Sequence, residues 1–182
     1  MSVYSHSYLG LGLMAARQAI FVQEGSSKSS CVVSKTKSSK FIFHGNSYDI
    51  SSSDNAGFET CLNVVKAVII ADNVHKPEEL AGRDVVAFSY FYDLAIEAGL
   101  ISGLDGSVTI SDYKKAAIRA CGDIENSSFT SLNACLDLTF LYGLLNSGYG
   151  LPESKLIKLF KKINGHEASW ALGVGYHMIN NH

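Results

Sequence analysis

The sequence predicts a single α/β domain, and three observations lead to this prediction. A chain of 182 residues is long enough to bury one hydrophobic core. Hydrophobic residues make up 47% of the chain and charged residues 18%, a composition typical of globular rather than disordered proteins. Segments with strand periodicity alternate with segments of helix periodicity, which favours strands and helices packed in layers.

The elements are predicted in chain order from periodicity, caps and turn residues. Strands are expected over residues 3–9, 85–88 and 155–163, with a hairpin over 41–50 that turns at Gly45-Asn46. Helices are expected over residues 11–22, 58–71, 90–98, 112–120, 132–145 and 170–180. Residues 24–40 are expected to form an exposed loop, and residues 75–84 a polar connector in which Pro77 starts a helix.

Particular residues predict which faces are buried and where helices begin and end. The first helix should bury the face formed by Leu11, Ala15, Ala19 and Val22. The second should bury the face formed by Phe58, Leu62, Val65 and Ile69. Ser111 is expected to cap the helix over 112–120, and Gly99 to end the helix over 90–98. The apolar run over 85–88 should be a buried strand.

Charge and hydropathy argue against two classes of partner. The 15 Lys and Arg residues and 17 Asp and Glu residues give a net charge of −2. No basic cluster stands out, so a nucleic-acid partner is not expected. No apolar run approaches the ~20 residues that span a bilayer, so no membrane segment is expected within this chain.

The four cysteines, Cys31, Cys61, Cys121 and Cys135, admit two interpretations. Each could be a buried free thiol in a cytosolic protein, or the two sequence-local pairs could form disulfides in a secretory compartment. No Cys-x-x-Cys pair is present, so zinc and thioredoxin-like chemistry are poorly supported. Asn126-Ser127-Ser128 is a glycosylation sequon, which points to the secretory compartment.

Trp170, the single Trp of the chain, lies where a predicted strand leads into the last predicted helix. Ser169 is suited to cap that helix, whose first N–H groups would then be available to an anion. The alternative is that Trp170 anchors the core between strand and helix. His166-Glu167 starts like a His-Glu-x-x-His zinc motif, but Trp170 takes the place of the second His, so no metal site is predicted there.

Residues 89–93 combine three aromatic side chains with an acid at a predicted strand-to-helix junction. Such a group could stack on a nucleotide base and hydrogen-bond its edge. The alternative is that two of the rings, Tyr90 and Phe91, belong to the core. The sequence has no Gly-x-Ser-x-Gly nucleophile elbow, no Gly-Lys-Ser/Thr phosphate loop and no complete dinucleotide-binding loop, so these motifs assign no reaction.

Four stretches of the chain, in the family's order, resemble the nucleoside triphosphate diphosphohydrolases, or apyrases. Residues 4–17 (YSHSYLGLGLMAAR) resemble the segment after the fourth conserved region, and residues 87–95 (AFSYFYDLA) the base-pocket segment. Residues 135–139 (CLDLT) and 167–173 (EASWALG) resemble two later blocks, the last being the fifth conserved region. The chain is most similar to the soluble or Golgi-lumenal nucleoside diphosphatases of types 5 and 6.

The resemblance implies a fold, an activity and a location. The fold would be part of the second lobe of an actin-, Hsp70- and sugar-kinase-like (ribonuclease H-like) structure, a mixed sheet with flanking helices. Residues 1–182 would form one α/β domain of that lobe. The implied activity is hydrolysis of GDP, UDP and IDP with Ca²⁺ or Mg²⁺. The implied location is the lumen of the secretory pathway, in the ER or Golgi, or outside the cell.

The resemblance also implies roles for particular residues. The disulfides would be Cys31–Cys61 and Cys121–Cys135. The base pocket would be lined by Ser89, Tyr92 and Asp93. Trp170 would lie near the water shell of the metal, without a direct metal ligand in this chain, and Asn126 would carry a glycan.

No catalytic residue is assigned within this chain. The sequence contains neither of the family's phosphate loops, Asp-x-Gly-Ser-x-x-x-Arg and Asp-x-Gly-Gly, nor the segment that carries the catalytic base. The expected partners are therefore the nucleoside diphosphate and a missing N-terminal lobe, which with the nucleotide phosphates would hold most of the metal. Glu167 has a carboxylate that could act as a base, but it lies in the fifth conserved region and not in the segment that carries the family's catalytic base. The alternative function is a naturally short, inactive form that binds nucleotide or a partner.

Overall fold

The computed structural model of the chain describes residues 8, 10–25, 27–33, 38–122, 129, 131–163 and 166–167. Its helices are α1 (Leu13–Glu24), α2 (Phe58–Ala71), α3 (Tyr90–Glu97), α4 (Ile110–Gly122) and α5 (Ala134–Gly143). Its strands are β1 (Lys28–Ser29), β2 (Ser39–Phe43), β3 (Asn46–Ser52), β4 (Val85–Ala87), β5 (Asp105–Thr109), β6 (Leu156–Phe160), β7 (Lys162–Ile163) and β8 (His166–Glu167). A 3₁₀ helix (Glu78–Gly82) precedes β4, and a π-helical turn (Leu144–Gly148) follows α5.

Mixed sheets with flanking helices confirm the α/β class. In the first sheet, the central strand β3 runs parallel to β1 and antiparallel to β2. In the second sheet, the central strand β6 runs parallel to β4 and antiparallel to β5. Strands β7 and β8 form a two-stranded antiparallel pair.

The β2–β3 hairpin turns one residue earlier than predicted. Phe43 pairs with Asn46, so the two-residue turn consists of His44 and Gly45 rather than Gly45 and Asn46. Both turn residues have positive φ, 47° and 79°, as a type I′ turn requires. Glycine adopts this conformation without strain, and His is one of the few other residues enriched in it.

The predicted exposed loop over residues 24–40 is wrong for its first described part. Strand β1 pairs with β3, and Ser29, Ser30, Cys31 and Val32 are buried. The Glu24 carboxylate accepts hydrogen bonds from the N–H and the hydroxyl of Ser30, each at 2.6 Å. The Ser29 hydroxyl oxygen accepts one from the Cys31 N–H at 3.0 Å. These local partners allow serine-rich sequence to be buried.

Helix α1 begins and ends two residues later than predicted and buries a different face. Leu11 is buried as expected, whereas Val22 is 63% exposed and Ala15 is half-buried. The buried face within the helix consists of Ala16, Ile20 and Phe21. Because α1 is apolar on more than one side, its packing against α2 and the first sheet decides which side is covered.

Helix α2 has its predicted bounds and buries the predicted face, and the elements around β4 are confirmed in part. Pro77 precedes a 3₁₀ helix rather than an α-helix. In β4 the prediction of a buried strand is wrong, since Val86 is 43% exposed and only Ala87 is buried. Gly99 follows α3 with φ 67°, as predicted for the residue that ends this helix.

Helix α4 starts two residues earlier than predicted, because Thr109 rather than Ser111 begins it. The Asp112 carboxylate accepts hydrogen bonds from the Thr109 hydroxyl at 2.7 Å and the Thr109 N–H at 2.9 Å. The Asp112 N–H donates to the Thr109 hydroxyl oxygen at 3.2 Å. This reciprocal arrangement is a capping box, with Asp in the place of Glu. The Thr109 hydrogen bonds lower the pKa of Asp112.

Helix α5 lies at the centre of the fold, and all its residues are buried. Leu138 and Leu141 pack in one core with α3, α4 and the second sheet. Leu136 and Phe140 pack in another core with α1 and the first sheet. Gly143 permits a close approach to α2, since a Cβ at this position would lie 2.6 Å from the Val65 Cγ1 atom.

Asp137 of α5 is a buried charge that is paired with Arg17 of α1. Arg17 Nε donates to Asp137 Oδ1 at 2.7 Å, and Arg17 Nη2 donates to Oδ2 at 2.6 Å. Burial raises the pKa of the Asp137 carboxyl, and the Arg17 hydrogen bonds and charge act in the opposite direction. This bidentate pair holds together two helices whose paired residues are 120 positions apart.

Both predicted disulfides are present. Cys31–Cys61 joins the segment after β1 to α2, and Cys121–Cys135 joins the end of α4 to the start of α5. The Cα atoms of each pair are 4.7 Å apart, within the usual range for a disulfide. All four cysteines are therefore bridged, and the free-thiol interpretation is wrong.

Some predicted features lie outside the described residues. These are the strand over residues 3–9 apart from Tyr8, the helix over 170–180 with its Ser169 cap, and the Asn126 sequon. Within the described part of the chain, every helix is too short or too polar to cross a bilayer.

Candidate functional site

The predicted base-pocket residues lie at the junction between β4 and α3. Ser89 links the strand to the helix, is exposed and has φ 55° and ψ −131°. This backbone conformation is rare for residues other than glycine, and no side-chain hydrogen bond caps α3. Because β4 runs parallel to β6, the junction lies at the carboxyl ends of parallel strands, where open α/β folds bind ligands.

Asp93 lies one helical turn after Ser89 and is also exposed. Its N–H donates to the Ser89 carbonyl at 3.0 Å, which fixes the spacing of the two residues. Ser89 and Asp93 therefore offer a hydroxyl and a carboxylate from one turn of backbone. A hydroxyl can donate and accept hydrogen bonds, and a carboxylate can accept them from the N–H groups of a base.

Tyr92 does not offer the free ring face that the sequence suggested. Its side chain is part of the core and the residue is 6% exposed. Its hydroxyl donates to the Gly103 carbonyl at 2.8 Å, so the phenol ties α3 to the turn before β5. The expected open stacking face is wrong for this structure, whereas nucleotide binding at the junction stays a prediction.

Tyr90 and Phe91 form the aromatic surface that remains partly accessible at the junction. Their rings stack with centroids 4.6 Å apart and an interplanar angle of 26°. Both residues are half-buried and contact both hydrophobic cores. Burial raises the pKa of Tyr90 to about 12, so its hydroxyl is neutral at physiological pH. The core position expected for these two rings is thus only partly correct.

Tyr113 supports the junction through a hydrogen bond from α4, and the sequence analysis did not identify this residue. This residue of α4 is fully buried, and its hydroxyl donates to the Phe91 carbonyl at 2.6 Å. The signal that could have found it is its position between Ile110 and Ala117 on one helix face. A tyrosine on a buried face requires a partner for its hydroxyl.

The described residues provide no cluster of three or more His, Cys, Asp or Glu side chains that could hold a metal ion. The backbone of Glu167 lies in β8, where it pairs with Lys162. Trp170, expected near the water shell of a metal, lies outside the described residues. The β4–α3 junction with its supporting tyrosines is the candidate site within the described residues.

Comparison with known families gives this geometry a context. The sequence profile of the GDA1/CD39 (nucleoside phosphatase) family matches residues 1–182. The chain belongs to the GDA1/CD39 family. Within this nucleoside phosphatase family, it is similar to ectonucleoside triphosphate diphosphohydrolase 5 of Gallus gallus, with 35% identity over 97% of the chain and 43% of the relative.

Two further GDA1/CD39 relatives show similar coverage. The nucleoside diphosphate phosphatase ENTPD5 of Homo sapiens is 33% identical over 97% of the chain and 43% of its own length. Ectonucleoside triphosphate diphosphohydrolase 6 of Mus musculus is 40% identical over 98% of the chain and 41% of its own length. These matches confirm the resemblance found in the sequence, and the chain spans less than half the length of these GDA1/CD39 relatives.

Proposed function

We propose that this chain is the C-terminal part of a hydrolase that cleaves the terminal phosphate of nucleoside 5′-diphosphates, including GDP, UDP and IDP. The observation that carries the proposal is the match of the whole chain to a nucleoside phosphatase family. It is supported by the similarity to a relative named as a nucleoside diphosphate phosphatase, of which this chain covers 43%.

In this proposal, residues 1–182 form most of the second lobe of a two-lobed, actin-like fold. The mixed β4–β6–β5 sheet with α3, α4 and α5 packed against it supports this assignment. The second lobe holds the nucleotide base and completes the cleft at the lobe junction. The N-terminal lobe supplies the two phosphate loops and the catalytic base, for which this chain has no matching motif.

The base binds at the β4–α3 junction. Asp93 is exposed and accepts hydrogen bonds from the N–H groups of a guanine or uracil edge, which adenine does not present in the same way. Ser89 adds a hydroxyl one turn away. Tyr92 supports the pocket through its hydrogen bond to Gly103, and the half-buried Tyr90–Phe91 pair provides the adjacent aromatic surface.

A Ca²⁺ or Mg²⁺ ion is proposed as the cofactor of the whole enzyme. Such an ion neutralises the charge on the phosphates as the phosphoanhydride bond breaks. The described residues do not supply a set of ligands for it. As the resemblance to the family implies, we assign the ion mainly to the N-terminal lobe and the nucleotide phosphates, with Trp170 near its water shell.

The secretory pathway is the proposed location, in the ER or Golgi lumen or outside the cell. The disulfides Cys31–Cys61 and Cys121–Cys135 support it, because such bonds persist mainly in oxidising compartments. The sequon at Asn126 is a candidate glycan site that fits the same compartment.

Phosphate release from GDP and UDP tests the division between the two lobes. We expect the purified 182-residue chain to release no phosphate above background with Ca²⁺ or Mg²⁺, and activity to appear when the N-terminal lobe is supplied. Turnover by the chain alone that is lost in Glu167→Gln would place a base in this chain and contradict the proposal. A mature product of this size that binds GDP without turnover would favour the short, inactive form.

Substitution of Asp93 tests the base pocket in the two-lobed enzyme. Asp93→Asn should raise KM for GDP and UDP about tenfold, if ~1.4 kcal/mol of base binding is lost, and should affect ADP less. Asp49→Asn is the matched control, because Asp49 is an exposed carboxylate on β3 in the other sheet. If Asp93→Asn leaves KM unchanged from the wild type for every nucleotide, as expected for Asp49→Asn, the junction does not contact the base.

A further inference from the structure

The first turn of α3 is held in place by two buried phenols. Tyr113 of α4 donates its hydroxyl to the Phe91 carbonyl at 2.6 Å, and Tyr92 donates its own to the Gly103 carbonyl at 2.8 Å. Tyr113 is fully buried. Burial also raises the pKa of its hydroxyl, so that it remains a donor over the physiological pH range.

The position of the Phe91 carbonyl affects the backbone that joins the two exposed polar residues of the junction. Phe91 lies between Ser89 and Asp93, and its N–H donates to the Phe88 carbonyl at 3.3 Å. The Asp93 N–H donates to the Ser89 carbonyl at 3.0 Å. A hydrogen bond to the Phe91 carbonyl therefore fixes the peptide that joins the two exposed polar residues.

The backbone of Ser89 requires such support. Its φ of 55° with ψ of −131° is unfavourable for a non-glycine residue, and α3 has no side-chain cap that would hold its first turn. Strained conformations persist only where the surrounding structure determines them strongly. Tyr113 supplies a rigid contact from α4, a helix that is itself fixed by the Cys121–Cys135 bridge.

We propose that Tyr113 is a positioning residue for the nucleotide base, acting through the Phe91 carbonyl on Ser89 and Asp93. This inference rests on the proposed function, because it assumes that the base binds at this junction. Tyr113 touches no substrate. Together with the backbone hydrogen bond from Asp93 to Ser89, it restricts the orientation of the hydroxyl and the carboxylate. A loosened first turn binds the base less tightly without affecting the contacts that the N-terminal lobe makes to the phosphates.

Tyr142 provides a matched control within the same core. It is also buried, and its hydroxyl donates to the Glu153 carboxylate at 2.8 Å, away from α3. Tyr113→Phe and Tyr142→Phe each remove one hydroxyl from a buried ring and leave the ring in place. Both variants should therefore fold, and a general loss of stability should be similar in the two.

The test compares KM for GDP with KM for ribose 5-diphosphate in the two-lobed enzyme, this chain together with its N-terminal lobe, measured by phosphate release. We expect Tyr113→Phe to raise KM for GDP about threefold or more and to leave KM for ribose 5-diphosphate unchanged, since a 1 Å loosening of a site is already costly. Tyr142→Phe should change neither KM. Equal KM for GDP in Tyr113→Phe and the wild type would overturn the positioning role.

The same measurements distinguish failure of the inference from failure of the proposed function. If the wild-type two-lobed enzyme binds GDP no better than ribose 5-diphosphate, the base pocket at this junction is wrong, and the positioning role of Tyr113 is wrong as well. If GDP is preferred but Tyr113→Phe retains that preference, only the role of Tyr113 is wrong. Amide hydrogen exchange of Tyr90 to Asp93 gives an independent check: it must accelerate in Tyr113→Phe more than in Tyr142→Phe.

Discussion

Helix α5 and the β4–α3 junction each contain an energetically unfavourable feature. In α5 this feature is a buried charge, and at the junction it is a rare backbone conformation. Helix α5 buries the carboxylate of Asp137, but Arg17 pairs with both of its oxygens and every residue of the helix is packed. At the junction, Ser89 has a rare backbone conformation, no side chain caps α3, and the polar groups are exposed.

The difference separates a stabilising element from a candidate site. The buried charge of α5 is neutralised by a direct partner, whereas the strained backbone at Ser89 is held in place by its surroundings but not relieved. Strain that the fold maintains beside exposed polar groups is typical of functional sites. The β5–α4 junction shows that strand-to-helix connections in this chain are not all strained, since Thr109 and Asp112 form a complete capping box there.

Removal of the buried carboxylate should have the largest effect. In Asp137→Ala the Arg17 guanidinium loses its partner, and we expect the free energy of unfolding, measured by urea denaturation, to fall by about 3–5 kcal/mol. The double variant Arg17→Met/Asp137→Leu is the control, because it removes both charges and should recover most of the loss. A single variant no less stable than the double would show that compensation by Arg17 is unimportant in α5.

Removal of each disulfide should have the next largest effect. The bridges close 30 residues for Cys31–Cys61 and 14 for Cys121–Cys135. Chain entropy predicts losses of about 3.6 and 3.0 kcal/mol respectively for the Cys→Ser double variants. Urea denaturation without reductant measures both. A larger loss at Cys121–Cys135 would indicate that packing at the start of α5, rather than loop length, determines the contribution.

Replacing glycine in α5 should destabilise the chain, whereas introducing glycine at the β4–α3 junction should stabilise it. Gly143→Ala places a Cβ 2.6 Å from Val65 Cγ1 and should destabilise the chain by about 1–3 kcal/mol through overpacking. Ser89→Gly relieves an unfavourable φ of 55° and should stabilise it by up to ~1 kcal/mol. Thermal unfolding followed by circular dichroism compares the two. A clear loss of stability in Ser89→Gly would contradict the assignment of strain at the junction.

The smallest expected effect is the pH dependence of the capped junction. Because Thr109 lowers the pKa of Asp112 below its unfolded value, the stabilisation is present at neutral pH and is lost as the pH falls through the folded pKa. At pH 7, Asp112→Ala should lower the free energy of unfolding by about 1 kcal/mol or less, since the carboxylate is 38% exposed.

The same measurement at pH 3 and below should show a smaller difference between wild type and Asp112→Ala. Asp93→Ala serves as the comparison at the uncapped junction, where no side chain accepts a hydrogen bond from the start of α3. A pH-independent effect of Asp112→Ala would mean that its charge does not cap α4.

The helices were predictable because their signals are local. The apolar period over residues 58–71 matches α2 at both ends, and Gly99 marks the end of α3. Strands β1 and β5 were not, because they are short and their partners are distant in sequence. Lys28 of β1 pairs with Ser51, and Val108 of β5 pairs with Ile157, so neither strand has a pattern of its own.

The location of the candidate site was predictable, but its geometry was not. The sequence around Ser89 marks a strand-to-helix junction and resembles a base-pocket segment. Which ring is buried depends on contacts that the segment does not contain: Gly103 accepts from Tyr92, and Tyr113 reaches Phe91 from α4. Exposure of the aromatic side chains was therefore a tertiary property rather than a local one.

Because Arg17 precedes Asp137 by 120 residues, α1 is synthesised well before the helix that it pairs with. Arg17 leaves the ribosome 120 residues before its partner, an interval of about 6–24 s at ordinary translation rates. During that interval the apolar face of α1, including Ile20 and Phe21, has no α5 to cover it, and we expect chaperones to bind there. The Cys31–Cys61 bridge involves only earlier residues, so an oxidising compartment could secure α2 before α5 emerges.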